Sequence, residues 1–489
     1  MGLACERGQR MNTGSTQLSE KARHRAFLAV LIAFVLDVMD STIVTVAIPA
    51  IRDDMHLSSA AMQWSVAGYF LSFAVLLVTG GRLGDIHGHR RMFLIGIACF
   101  TLSSMLCGLA GNAAQLVLAR VLQGATAALM APQVMAIVQI LYSPTERIGR
   151  LAFFGLLGGL AAIAGPIAGG MLIKADLFDL GWRMIFLVNL PIGALGLLAG
   201  WRYLPRERPL VRQKLDLAGI ALLAAILLMV LIPLIDGRER GWPAWSFAAM
   251  AMAIPVAALL CAQQARRQRR TGDALMAPSL LRNRGYTLAL LAALCFAAAT
   301  GGFFMPLMLT LQQGLGFSAF EAALLHIPFA GGVMIGIAAL GRRFLPRFGK
   351  YVVIVGAAVM AAAVLCLPAA LGRSSGEVAA MLACLLFAGL GMGMVSGPLA
   401  PLALARVDKA YAGMASGAFK STQQIGGALG AALIGALFFM GEEAGGSALA
   451  GMTGAARGVG FSLAWVALFA LALPARPFEG LDGARIGDK

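Results

Sequence analysis

The chain is a succession of long apolar stretches broken by short polar segments, most of them basic. A helix needs about 20 mainly apolar residues to cross the hydrocarbon core of a bilayer, and fourteen stretches qualify. The first six run from 26 to 51, 62 to 80, 92 to 110, 114 to 140, 150 to 173 and 183 to 204. Two more follow at 216 to 235 and 244 to 263. The last six run from 286 to 311, 319 to 340, 350 to 371, 377 to 401, 413 to 440 and 457 to 474. This pattern predicts an all-α integral membrane protein with 14 transmembrane helices. Six form an amino-terminal bundle over 26–204, two lie within 205–285, and six form a carboxy-terminal bundle over 286–474. Tails at 1–25 and 475–489 complete the chain.

Composition supports lipid as the main solvent. The 489 residues are 59% hydrophobic and only 13% charged, whereas a soluble domain carries about 25% charged residues. The net charge of +16 would suit nucleic acid only if it formed a basic face on a folded domain. Here the basic residues sit in short runs between apolar stretches, so membrane topology explains them and no nucleic-acid partner is expected. Placing both termini in the cytoplasm puts most of the 39 Lys and Arg on that side, including the runs Arg202 to Lys214 and Arg266 to Arg284. Arg52, Lys174, Arg183, Arg238, Arg240, Arg373 and Arg457 fall on the other side, and Arg120 and Lys420 within spans. The first stretch lacks a short apolar core followed by a cleavage site and holds two aspartates, so it is expected to remain as the first helix. The seven cysteines are scattered without metal-ligand spacing and read as small buried apolar residues.

An internal repeat is visible. Gly81 to Arg91 (GRLGDIHGHRR) follows the second helix, and Gly341 to Lys350 (GRRFLPRFGK) follows the tenth, at an offset of 260 that also carries the start of the first helix to that of the ninth. Repeated halves are a mark of secondary transporters. No connecting segment is long enough for a nucleotide-binding domain and no Walker-type glycine loop occurs. The expected energy source is therefore an ion gradient, with no cofactor. No nucleophile-base or metal constellation suggests an enzyme, and a sensor or scaffold would be expected to carry an extra soluble domain.

Of the 23 acidic residues, only Asp37 and Asp40 lie well inside a span. A carboxylate in lipid is costly unless paired or protonated, which is the behaviour a proton carrier needs. At i, i+3 they share nearly one face of the first helix; the alternative is that one merely caps a kink or bonds a neighbouring helix. Arg120 is the arginine deepest in a span and needs a partner, either an aspartate of the first helix or backbone carbonyls. Gly165-Pro166 interrupts the fifth helix, with Gly169 and Gly170 offering close approach. Trp64, Tyr69, Phe303, Phe304, Met305, Met308 and Gln312 are candidates for a cavity that adapts to varied apolar ligands. Lys420 either attracts an anionic substrate or snorkels to the cytoplasm, and His326 reads as structural.

These features resemble the major facilitator superfamily, in particular its fourteen-helix drug:proton antiporter branch. The Gly81–Arg91 segment is similar to the signature G-x-L-x-D-x-x-G-x-R-R, and Met39 to Pro49 (MDSTIVTVAIP) to the first-helix motif of that branch. Gln63-Trp64 with Tyr69, Arg120 to Gly124 (RVLQG), Gly165 to Gly170 (GPIAGG), Gly181-Trp182-Arg183, Asn189-Leu190-Pro191 and Gly426 to Gly430 (GGALG) match in the same order. Ala161 stands where the antiporter motif usually opens with glycine, Phe344 or Leu345 where the second-half loop would have its acid, and Lys420 where the family is usually uncharged.

The resemblance implies a major facilitator fold in the inner, cytoplasmic membrane. It places the first and fourth helices side by side, so that Asp40 or Asp37 pairs with Arg120. It makes Asp85, with Arg90 or Arg91, a latch between the halves, with Gly81 and Gly88 supplying a tight backbone. The expected activity is proton-driven export of small amphipathic compounds; the alternative is a proton-coupled importer or metabolite exchanger on the same scaffold. A monomer is expected, and recruitment of a periplasmic adaptor protein is left open.

Overall fold

The computed structural model describes residues 19–206, 215–271, 274, 278–405, 407–408 and 411–473. Among these residues the chain is helical without strands, and fourteen helices are long and apolar enough to cross a membrane. They are α1 Glu20–Met55, α2 Ser59–His87, α3 His89–Gly108, α4 Ala113–Leu141, α5 Leu157–Ala175, α6 Gly181–Tyr203, α7 Leu217–Glu239 and α8 Ala244–Arg270. Then come α9 Arg284–Gly314, α10 Ala319–Ala338, α11 Lys350–Ala370, α12 Ser375–Leu404, α13 Gly413–Gly445 and α14 Ala448–Ala472. In lipid every backbone polar group must be satisfied within the segment, which is why apolar runs of this length become helices. Side chains finish the ends: Ser19, Ser58 and Asn112 accept from the amides of Ala22, Ala61 and Gln115, and Ser318 and Ser374 form capping boxes with Glu321 and Glu377.

The count of spans agrees with the sequence, while several boundaries differ. α1 begins at Glu20, so 20–25 belong to a helix and not to a tail; the remaining tail residues 1–18 and 475–489 lie outside the described residues. α14 begins at Ala448 instead of 457. Its first turns, rich in Gly, Ala and Thr, carry weak hydropathy yet pack tightly: a Cβ on Gly454 would lie 2.4 Å from the Leu437 carbonyl oxygen of α13. The cysteines also need correction, since Cys261 and Cys366 are exposed on the helix surface while Cys107 is buried.

α1 to α6 pack mainly on one another, as do α9 to α14, and α7 with α8 forms a separate pair that touches α2 and α13. The bundles meet where α13 lies against α2 and α10 against α5. At the end of the molecule that holds Met55, Gly314 and Gly445, polar side chains join them. Arg52 donates to Gln313 (2.8 Å), Gln313 donates to Asp53 (2.8 Å), Gln312 donates to the Val46 carbonyl (2.9 Å), and Lys174 sits over the Phe320 ring. Gly170 completes this closure, because a Cβ there would meet the Ala319 carbonyl oxygen at 2.8 Å. Nearer the middle, Ser421 Oγ donates to the Ala74 carbonyl (2.8 Å).

Candidate functional site

Two features sit between or beside the bundles: a polar cluster inside the first, and an apolar cavity between them. The cluster is built on Asp40, 0% exposed on α1. Arg120 of α4 reaches it with Nη1 at 3.2 Å from Oδ2. Asn189 of α6 and Gln123 of α4 donate to Oδ1 at 2.6 and 2.7 Å. Ser104 of α3 accepts from both amides, at 2.8 and 3.2 Å. Arg120 is satisfied on its other sides by the Gln123 Oε1 (2.5 Å) and the Ser65 carbonyl (3.1 Å), and its guanidinium lies 4.5 Å from the centre of the Tyr69 ring. A buried ion pair holds its place only with such complete hydrogen bonding.

Asp37, one turn earlier, has a different setting. It is half-buried, takes a hydrogen bond from Tyr69 OH (3.1 Å), and the cation acting on it is Lys420 of α13 across the interface. Of the two aspartates that the sequence offered to Arg120, the geometry selects Asp40. Gln123 and Asn189 fell within quoted motifs without an assigned role, and Ser104 was not singled out. Their signal was polarity inside apolar spans, and for Gln123 its place three residues after Arg120, on the same helix face.

The Gly81–Arg91 segment is not a loop. α2 remains helical to His87, the chain turns at Gly88 with φ +90°, and α3 starts at His89. Gly88 therefore carries the turn as expected, since other residues strain at that φ. Gly81 does not: a Cβ there would only touch Pro132 at 3.7 Å. The tight positions are Gly80 and Gly84, whose Cβ atoms would fall 2.1 Å from the Ala128 carbonyl oxygen and from Gln133 Oε1. Asp85 faces His89 (3.5 Å), Arg90 donates to the Trp201 carbonyl of α6 (2.6 Å), and Arg91 is exposed, so the described partners of Asp85 and Arg90 belong to the first six helices.

The cavity, about 320 Å³, is lined by α1, α2, α5, α9, α10 and α12. Phe70, Phe304, Phe329, Met334 and Met392 give it an apolar wall, and Ser41, Thr42, Thr45, Thr300 and His326 add its polar atoms. Pro166 lines it too, while Gly165 and Gly169 press α5 onto Thr42 and Ile43 of α1. Of the proposed ligand contacts only Phe304 lies on this wall. Phe303, Met305 and Met308 are buried in packing, Tyr69 serves Asp37, Gln312 binds the Val46 carbonyl and Trp64 donates to Asp236 of α7 (3.0 Å). Lys420 is exposed and outside the lining.

Fourteen spans, two bundles and a central cavity define a multi-pass transporter of the cytoplasmic membrane. The sequence profile of the Major Facilitator Superfamily matches residues 30–431, and the chain belongs to that family. It is 41% identical over 421 residues to a probable actinorhodin transporter of Streptomyces coelicolor, covering 86% of this chain and 73% of that one. It is 34% identical to the cephamycin export protein CmcT of Amycolatopsis lactamdurans, covering 86% of each chain. A tetracenomycin C resistance and export protein of Streptomyces glaucescens is 33% identical, over 84% of this chain and 75% of its own. Among solved structures, the nucleoside transporter NupG shares the fold with a TM-score of 0.64 at 11% identity, over 94% of this chain and all of that one.

Proposed function

We propose that this protein is a proton-coupled antiporter that exports small amphipathic compounds across the cytoplasmic membrane. The observation that carries the reading is the Asp40–Arg120 pair, sealed in the first bundle on the same helix that lines the cavity with Ser41, Thr42 and Thr45. The relatives named for export and resistance support its direction. Both termini lie in the cytoplasm in this proposal, with the basic segments, and the closed end of the bundles faces outward. The conformation is then loaded from the cytoplasm or inner leaflet.

A proton reaching Asp40 neutralises it and removes the charge that holds Arg120. The bundles then exchange their contacts: the Arg52–Gln313–Asp53 closure opens, and Asp85 with Arg90 or Arg91 latches the opposite end. Asp37, half-buried one turn earlier on the same helix and bonded by Tyr69, passes the proton inward. In this reading α1 to α6 and α9 to α14 are the rocking units and α7 with α8 stands outside both, a division that their separate pairing supports.

The test is a compound-susceptibility panel in an efflux-deficient host expressing the wild type or Asp40→Asn. The expected result is resistance with the wild type and at least a tenfold loss of it in the variant at equal membrane abundance. Unchanged resistance in Asp40→Asn would remove the coupling role, and nutrient uptake without resistance would favour import.

A further inference from the structure

The last turn of α7 touches both bundles at their closed end. Toward α2, Asp236 accepts from the Trp64 indole (3.0 Å), and Glu239 accepts from the Ser59 hydroxyl and the Ala60 amide (both 2.7 Å). The same hydroxyl accepts from Arg238 Nη2. Toward α13, Arg238 Nη1 meets Glu443 at 2.5 Å, and its guanidinium lies 5.3 Å from the centre of the Phe439 ring. Arg238 is 9% exposed, so its charge needs these partners. Glu442, next to Glu443, lies 4.0 Å from Arg52 of α1. The two acids at the end of α13 thus face one arginine of the first bundle and one of α7.

The direct seam between α2 and α13 works in the other direction. Gln63, 0% exposed on α2, packs where a Cβ on Gly435 of α13 would lie 3.0 Å from its Nε2. Neither Nε2 nor Oε1 of that amide has a hydrogen-bond partner. A buried, unsatisfied amide favours any conformation that gives it water or a partner. Separation of α2 from α13 does so, and the seam therefore resists the closure that α7 enforces. The two sides of α7 are also unequal. Asp236, Arg238 and Glu239 all bond α2, whereas the ion pair on the α13 side ends on Glu443, whose side chain is 69% exposed. An ion pair with a partner in water is the easier one to part.

We propose that the end of α7 is a clasp on the closed conformation: seated on α2, Arg238 holds Glu443 of α13, and opening of this end parts that pair. The two helices between the bundles then set how readily the bundles alternate. The clasp rests on alternation of the two bundles and needs neither proton coupling nor a transport direction.

The experiment is hydrogen–deuterium exchange, read by mass spectrometry, on the full-length protein in lipid nanodiscs without substrate. Segments 44–56 and 305–316 carry the Arg52–Gln313–Asp53 closure and belong to α1 and α9, outside the helices that are mutated. Exchange there follows the population of the open form. Glu443→Gln, at an exposed side chain, should raise it about threefold, the scale of one exposed ion pair. It should also lower exchange in segment 82–92 at the opposite end, which closes as this end opens. Glu443→Lys, which sets two cations face to face, should do more. Arg238→Gln should act in the same direction, and adding Glu443→Gln to it should change little, because the pair is already broken. Unchanged exchange in both Glu443 variants, a rise confined to α7 and α13, a rise at the closed end without a fall at the opposite end, or full additivity in the double variant would each overturn the proposal. If Arg238→Gln does not fold, the two Glu443 variants decide by themselves. Failure of the susceptibility panel with this exchange pattern intact would remove the export reading and leave the clasp standing.

Discussion

The two bundles share a packing plan and differ in where they keep charge. In the first, a Gly80 Cβ would fall 2.1 Å from the Ala128 carbonyl oxygen, where α2 crosses α4; in the second, a Gly332 Cβ would fall 2.1 Å from that of Leu386, where α10 crosses α12. Each bundle also turns after its second helix on a glycine with positive φ, Gly88 at +90° and Gly349 at +51°. The first bundle then buries Asp40, Arg120, Gln123, Asn189 and Ser104 in one network. The corresponding interior of α9 to α14 is filled by residues such as Phe303, Met305, Met308, Phe438 and Met452. Its buried lysine, Lys350, sits at a helix start and donates to the carbonyls of Leu471 and Leu473 at 2.6 Å, an anchor for the end of α14. The halves thus differ in what they bury: the first encloses an ion pair among its own helices, and the second fills its interior with apolar side chains.

The largest expected effect tests that division directly. Arg120→Leu leaves Asp40 buried with its amide donors and no cation, and removing one partner of a buried pair costs about 3 to 5 kcal/mol. The purified variant should melt well below the wild type. Adding Asp40→Asn to it should restore part of the loss, because the unpaired charge is gone. A single variant that melts with the wild type would show that the first bundle does not depend on its charge pair, and the contrast between halves would lose its meaning.

Much of this contrast was legible in the chain. Asp37, Asp40 and Arg120 stand out because ionisable residues within apolar runs are few, and the offset of 260 between GRLGDIHGHRR and GRRFLPRFGK announces the repeat. The cavity wall was much less legible, since Phe303 and Phe304 are neighbours of one type in sequence. Only the rotation of α9 decides that Phe304 faces the cavity while Phe303 is buried. Of the two glycines expected to be tight, Gly88 carries the turn, but Gly81 stands one position from the close contact at Gly80, because a glycine pair shows that a close approach occurs without showing which member faces it.

A mid-sized effect sharpens the shared half of the comparison. Gly80→Ala and Gly332→Ala each force a methyl toward a carbonyl oxygen of the facing helix, and overpacking of this kind costs about 1 to 3 kcal/mol. Melting measurements on both should give losses of similar size. A large loss in one bundle and none in the other would mean that the glycine seams are not equivalent and that the repeat is one of sequence alone.

The smallest effect concerns the pair outside both bundles, where charge is handled in a third way. Asp216 caps α7 by accepting from the Gly219 amide (3.0 Å), and it takes further hydrogen bonds from Gln264 (2.7 Å) and Gln263 (2.8 Å) of α8, with Arg267 at 3.6 Å. Burial alone would raise its pKa, but the bonds from Gln264, Gly219 and Gln263 and the charge of Arg267 outweigh it and hold the carboxyl below its usual range. A carboxyl with a depressed folded-state pKa adds stability above its unfolded value of about 4 and loses it as the pH falls through the folded value. Asp216→Asn keeps a good helix cap and removes only the charge. The wild type should therefore melt slightly above Asp216→Asn at neutral pH, and the gap should close below about pH 4. A gap that stays constant as the pH falls would assign the contribution of Asp216 to its capping geometry and leave its charge without a role in docking α7 on α8.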